Sequence, residues 1–332
     1  MSEKPDCEQF RQALEELRRA LWLDESRRWW SQFAFHFTDL RNAARILSEG
    51  RLYSRTQVVV RHPDFQDSAS SAVLGQTSSA LKNYVRFYFR PRTPTLFINE
   101  GFCPPSTEYP DAHCPVPVYL LFDLEALLCR EDSRFTRETL AGYTPGSLLE
   151  SVDAFRTMPF EDIYHDSRFE PHERDRIVRS RHAELVIPNE IDLTHLRAIW
   201  CRSPAEYRTL RASVTPEVWQ QWGARITAKS DFNLFFRQRL FVQDASLDHD
   251  GIRFTFNIPK RPMLEGQYDI RLQIDDFVHD RHYAQSLQFD YLVSNYVSLG
   301  KIGSPDHYAV RLSINGHLAF ADTYQAADDI PF

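Results

Sequence analysis

A chain of 332 residues, 42% hydrophobic and 26% charged, has apolar mass for two folded domains, and its net charge of −7 argues against a generic nucleic-acid coat. No apolar run approaches the roughly 20 residues of a membrane-spanning helix. The polar opening Met1-Ser2-Glu3-Lys4-Pro5-Asp6 lacks a signal-peptide core, so a cytoplasmic protein without a membrane partner is expected.

Residues 7–23 place Phe10, Leu14, Leu17 and Leu21 at helical spacing among charges, which predicts an amphipathic opening helix. Trp29, Trp30, Phe33, Phe35 and Phe37 suggest an entering strand with an aromatic face. Thr38 or Asp39 then caps a helix whose inner face is Leu40, Ala43, Ile46 and Leu47, with Gly50 as its stop. This unit puts His36 and Thr38 at a strand-to-helix junction. Residues 54–83 read as a long polar loop with the small-residue run Ser68-Ala69-Ser70-Ser71, and a loop of that length is usually functional or mobile. Residues 84–90 are strand-like and end in Arg90-Pro91-Arg92-Thr93-Pro94. A proline-rich loop over 99–117 leads into a buried strand from Val116 to Phe122, with a helix from Asp123. A short helix over 171–182 carries Arg174, Arg176 and Arg179, and Glu184-Leu185-Val186-Ile187 leaves it as a strand.

After Phe241 strict alternation sets in: Ile252, Phe254, Phe256 and Ile258; Tyr268, Ile270, Leu272 and Ile274; Tyr308, Val310, Leu312 and Ile314. Asn315-Gly316 follows as a hairpin turn. From Phe241 onward 7 basic residues face 13 acidic ones, so nucleic-acid contact is expected only from the preceding part. An antiparallel, sandwich-like accessory domain over 241–332 is expected, with no chemical constellation in its Pro259–Pro262 turn or acidic tail. The five cysteines, Cys7, Cys103, Cys114, Cys129 and Cys201, show no CxxC spacing. Neither a disulfide framework nor a metal site is expected, since Cys103, His113 and Cys114 lack a fourth ligand.

Two segments stand out chemically. Phe35-His36-Phe37-Thr38 and the run Tyr84-Val85-Arg86-Phe87-Tyr88-Phe89-Arg90 crowd aromatics and arginines as a surface for flat rings and phosphates does. The segment Arg181-His182-Ala183-Glu184 opens an apolar strand with a carboxylate that arginines can hold ionised. Taken alone, the blander readings are favoured: a rim ion pair for Glu184, a hydrogen-bonded core residue for His36.

In this order, His-x-Thr strand, Gly-stopped helix, aromatic strand ending in Arg-Pro-Arg-Thr-Pro, and Ala-Glu-hydrophobic strand, the chain resembles the DarT family over roughly residues 30–215. These are NAD-dependent ADP-ribosyltransferases that modify nucleobases, typically thymidine in single-stranded DNA. The resemblance implies an α+β fold with an ADP-ribosyltransferase-like split β-sheet core and flanking helices over 30–235, behind an N-terminal helix over 1–29. It implies NAD as co-substrate, with His36, Phe37, Thr38, Tyr53, Tyr84 and Arg90 in contact with it, and Glu184 as the catalytic carboxylate. The family's loop arginine has no direct counterpart, and Arg61 or Arg55 is the candidate replacement. Arg174, Arg176 and Arg179 are the expected nucleic-acid flank. The implied role is a toxin acting on single-stranded DNA, or alternatively on RNA in phage defence, restrained by an antitoxin protein; a non-catalytic binding module is the other class of reading.

Overall fold

The computed structural model describes residues 2–68, 75, 77–103, 113–229, 234–259, 267–289 and 294–326. The run at 69–71, the turn at 260–262, the middle of the 99–117 loop (104–112) and the tail from 327 lie outside these residues. The chain divides into two compact units, one of Met1–Thr38, Glu49–Ile98 and Tyr119–Ile199, the other of Asp39–Ser48, Asn99–Val118 and Trp200–Phe332.

The strands in chain order are β1 (Phe33–Asp39), β2 (Arg51–Tyr53), β3 (Tyr84–Tyr88), β4 (Pro117–Asp123), β5 (Arg134–Phe135), β6 (Glu184–Pro188), β7 (Glu190–Asp192), β8 (Leu196–Cys201) and β9 (Ile226–Ala228). They continue with β10 (Val242–Leu247), β11 (Gly251–Phe256), β12 (Tyr268–Asp276), β13 (Arg281–Phe289), β14 (Ser294–Ser298), β15 (His307–Ile314) and β16 (His317–Gln325). The first unit is built on a sheet in which β5, β6, β3, β1, β4 and β8 are successive neighbours. The ladder that matters is antiparallel: Tyr88 pairs with Glu184, Arg86 with Val186 and Tyr84 with Pro188, while Phe35 of β1 pairs with Tyr88 from the other side. Because strand side chains alternate, Glu184, Tyr88 and Arg86 share one face of the β3–β6 ladder, and Leu185, Phe87 and Val85 the other.

The opening helix forms over Cys7–Arg18 and buries Phe10, Leu14 and Leu17, whereas Leu21, read as part of its apolar face, lies beyond the helix end and is fully exposed. Trp29 and Trp30 stand in a 3-10 turn before β1, so the aromatic strand starts only at Phe33. Asp39 supplies the cap, its Oδ1 accepting from the Arg41 N–H at 3.1 Å, and the helix Leu40–Glu49 ends at Gly50 with φ 67°. The stretch after Tyr53 is not a plain loop: Arg55–Arg61 is helical, and Ser79–Asn83 forms a 3-10 turn capped by the Ser78 hydroxyl. Likewise the strand expected to run to residue 90 stops at Tyr88. Thr93 then caps a short helix, Pro94–Asn99, by accepting from the Leu96 N–H at 3.2 Å, with proline in the first turn where its missing N–H costs nothing.

One expectation is overturned outright. Cys7 and Cys129, 122 residues apart, form a disulfide that ties the opening helix to the end of the helix Leu124–Leu128. Sequence spacing conceals the pair because it is the fold that brings the two thiols together.

The second unit holds two antiparallel sheets, β10-β11-β14 and β13-β12-β15-β16. Tyr268, Ile270, Leu272 and Ile274 are buried on one face of β12, as are Tyr308, Val310, Leu312 and Ile314 on β15. Ile258 is not part of this pattern, since β11 ends at Phe256 and Ile258 is 78% exposed. Asn315 and Gly316 turn β15 into β16 with φ of 50° and 79°, the pair of left-handed residues that a two-residue hairpin turn requires. A buried ion cluster completes this unit: Arg202 sits between Glu100 and Glu206, and Glu100 also accepts from the Phe236 and Arg237 N–H groups.

Candidate active site

Glu184 opens β6 and is 2% exposed. Its backbone is fixed by Thr136: the Glu184 N–H donates to Thr136 Oγ1 at 3.1 Å, and the Thr136 N–H donates to the Glu184 carbonyl at 2.8 Å. The side chain has a harder position. Burial raises its pKa; Arg86, the Leu140 N–H and the Tyr88 hydroxyl pull the other way without cancelling that effect. Among the described residues one oxygen, Oε2, has no hydrogen-bond partner. An unpaired buried carboxylate oxygen is costly in a fold unless a ligand completes it.

Around it the sheet presents a ring-lined wall. Tyr88 stacks on Phe37, centroids 6.0 Å apart and planes 13° from parallel, and Tyr119 meets Phe37 edge-on at 6.1 Å. The Tyr88 hydroxyl lies 3.5 Å from Thr95 Oγ1, and burial together with the Glu184 charge raises its pKa. Thr38, at the end of β1, is buried.

The other expected residues distribute as follows. His36 Nδ1 donates to the Arg86 carbonyl at 3.0 Å, and burial lowers its pKa, so the ring is neutral with its proton on Nδ1. Its ring borders Phe87 at 6.0 Å, the residue whose face Leu185 shares, and no direct hydrogen bond joins it to Glu184. Tyr53 and Arg61 meet each other, the guanidinium 4.6 Å above the ring. Tyr53 pairs with Glu190 of β7, and Tyr84 pairs with Pro188 while packing on Leu81, Leu140 and Val186. Four residue steps of strand separate Tyr84 from Tyr88, the partner of Glu184, so Tyr84 stands about 13 Å along the ladder from Glu184. Arg55 is drawn away by Asp67 and lies over Phe65.

Arg90 is enclosed in the wall. It is 1% exposed, and its guanidinium donates to the carbonyls of Pro91, Ile163 and His165 and to Asp166 Oδ1. Four of its five N–H groups are engaged inside the wall, which leaves little to offer a phosphate. Asp166 ties Arg92 into the same network at 3.0 Å, and Arg181 closes it by donating to the His165 carbonyl at 2.7 Å. On the helix Arg174–Ser180 the expected basic flank is uneven. Arg174 is exposed, Arg176 is paired with Asp162 and Glu173, and Arg179 lies 3.9 Å from Glu138. Arg176 and Arg179 line a depression of about 600 Å³ with Arg137, Tyr143 and His172.

Sequence reasoning missed Thr136 and Leu140 as supports of Glu184, and nothing marks them, since they stand more than forty residues away in the chain. Arg86 and Tyr88 lay in the aromatic and basic run already singled out, but it is the β3–β6 register that puts them on Glu184's face.

A buried carboxylate with an unpartnered oxygen beside a wall of rings is an arrangement that a ligand with a flat ring and a hydroxyl donor would complete. Residues 35–235 match the family model described as ssDNA thymidine ADP-ribosyltransferase, DarT, and the chain therefore belongs to the DarT family. Among solved structures it is similar to Thermus sp. 2.9 DarT in complex with ADP-ribosylated ssDNA, at 18% identity and a TM-score of 0.47, covering 60% of this chain and 95% of that one. The same Thermus protein in complex with NAD+ matches at 18% identity and a TM-score of 0.45, covering 60% and 96%. Thermosipho africanus DarTG in complex with ADP-ribose matches at 15% identity and a TM-score of 0.44, covering 65% and 53%. No curated protein matches.

Proposed function

We propose that this chain transfers ADP-ribose from NAD to a thymine base of single-stranded DNA, with Glu184 as its catalytic carboxylate. The observation that carries the reading is the buried carboxylate whose Oε2 lacks a partner beside Arg86 and Tyr88. That oxygen fits NAD, because a ribose hydroxyl would supply the missing donor. NAD, as co-substrate, provides the ADP-ribosyl group through a sugar carbon that gains positive charge as nicotinamide departs.

The chain's own residues then have distinct tasks. Glu184 would accept from a sugar hydroxyl, offset the positive charge and take the proton of the attacking base nitrogen, for which a raised pKa suits it. Phe37 and Tyr88 would provide a flat platform, while Thr38, on the His36 face of β1, would support that wall from behind. His36, neutral and fixed to β3, would hold the wall in register. Tyr84, Tyr53 and Arg61 would contact the distal part of the dinucleotide, with Arg61 standing in for the family's loop arginine. Arg174, Arg176 and Arg179 would flank the acceptor strand.

In this reading residues 30–235 are the transferase domain, and 241–332 an accessory domain. A base modifier left unrestrained would block its host's replication, so the protein is assigned to the cytoplasm as a toxin held by an antitoxin, with phage defence as a setting. The test is incubation with labelled NAD and separate pools of single-stranded DNA, duplex DNA, RNA and protein. Label on single-stranded DNA, lost in Glu184→Gln, is the expected result. Label confined to RNA or to protein overturns the substrate, and NAD binding without any label overturns turnover.

A further inference from the structure

The four-stranded sheet of the second unit has two outer strands that are treated differently. At β16 the Ala321 N–H donates to Thr209 Oγ1 of the helix Pro204–Ala212 at 3.1 Å, and Arg208 of that helix reaches Asp322 at 3.5 Å. At β13, nine residues long, the described residues offer only β12 as a partner. Its core face is left open as well. Leu287, Gln285 and Tyr283 pair with Ile270, Leu272 and Ile274, which are buried, yet Leu287 is 42% exposed. An uncovered strand edge is a template for another strand, and proteins ordinarily blunt it with lysine, proline or a bulge. The sequence Arg-His-Tyr-Ala-Gln-Ser-Leu-Gln-Phe contains no lysine or proline, and its pairing with β12 is unbroken.

We infer that β13 joins the β13 of a second copy, antiparallel and centred on Gln285, so that the two four-stranded sheets become one. The occupant is set by the strand's own symmetry. About Gln285, Ala284 falls opposite the partner's Ser286, Tyr283 opposite the partner's Leu287, and His282 opposite the partner's Gln288. Small residues meet small ones and the two half-exposed apolar residues cover each other. No carboxylate or lysine is brought against its like, and the two Gln285 amides at the axis can hydrogen-bond. Such an interface is isologous and closes at two subunits. An unrelated extended peptide could add to the same edge, but nothing requires it to be complementary to this order of side chains.

The experiment is sedimentation equilibrium on the full chain from about 1 to about 100 µM, the range in which a modest interface dissociates. A concentration-dependent dimer is expected. Gln285 is exposed, so Gln285→Lys and Gln285→Glu leave the fold intact by circular dichroism while placing like charges at the axis. Each variant alone should associate at least about tenfold more weakly, and an equimolar mixture should recover the dimer as a heterodimer. A monomer at every concentration overturns the inference, as does a dimer that both charged variants retain, or a mixture that stays monomeric.

Discussion

At the residue scale the decisive object is a carboxylate held where its charge is unwelcome. Because burial raises the pKa of Glu184 in the folded state, the folded protein holds that proton more tightly than the unfolded chain. Its contribution to stability is therefore present at low pH and lost as pH climbs from the ordinary carboxylate value through the raised one. Glu184→Gln carries no charge to bury, so its melting temperature relative to the native protein should rise with pH across that window. Transfer should be abolished at every pH. Thermal denaturation at several pH values checks the first expectation, and a parallel or opposite trend defeats it. Arg90 obeys the reverse logic. Arg90→Ala leaves the buried Pro91 and Ile163 carbonyls without this donor, while Asp166 keeps Arg92 and the His165 carbonyl keeps Arg181, and should cost about 1–3 kcal/mol for each unsatisfied group. Measured by denaturant titration beside the KM for NAD, that variant should lose stability while any surviving folded enzyme keeps its KM. A raised KM with an unchanged fold would restore Arg90 to the ligand.

At the scale of elements, what was legible in the sequence was whatever repeats. The alternation of β12 and β15, the Asn315-Gly316 turn and the run from Leu40 to the Gly50 stop all appear as expected, because period and turn chemistry are local. Glu184 was singled out only by the family's Ala-Glu-hydrophobic pattern; its neighbours alone favoured a rim ion pair, whereas the structure buries it. The Thr136 clasp, the Arg90–Asp166 pair and the Cys7–Cys129 bridge were not legible, since they join residues 48, 76 and 122 positions apart and no local preference records such a meeting. The bridge closes so long a loop that its stabilisation should lie at the upper part of the usual range, about 2–4 kcal/mol. Cys7→Ser should melt lower than the native protein under oxidising conditions and equally under dithiothreitol. A difference that survives reductant would mean that packing, not the bridge, is what the substitution removes. In a reducing compartment the two cysteines stand as adjacent thiols at the foot of the opening helix.

At the scale of the whole molecule, charge is distributed against uniform DNA binding. Six of the seven surplus negative charges lie from Phe241 onward, and the basic flank on the Arg174–Ser180 helix is partly neutralised by Asp162, Glu173 and Glu138. Affinity for single-stranded DNA should accordingly fall only gently with salt. Three phosphate contacts give a log–log slope of about −2, which fluorescence anisotropy over a salt series can read. A slope of about −5 or steeper would require several more cations than this helix supplies.

Asn189, the hinge between β6 and β7, sits at φ 64°. Its N–H donates to the Asn83 carbonyl at 2.6 Å, and its own carbonyl accepts from the Ser54 N–H at 2.7 Å. One residue thus rivets three chain segments: the start of β3, the entry to the Arg55–Arg61 helix, and the strand that Glu184 opens. The seam has a clock. In hydrogen–deuterium exchange the amides of Asn189 and Ser54 should be released together, because neither opening can occur while the other bond still holds the same residue in place.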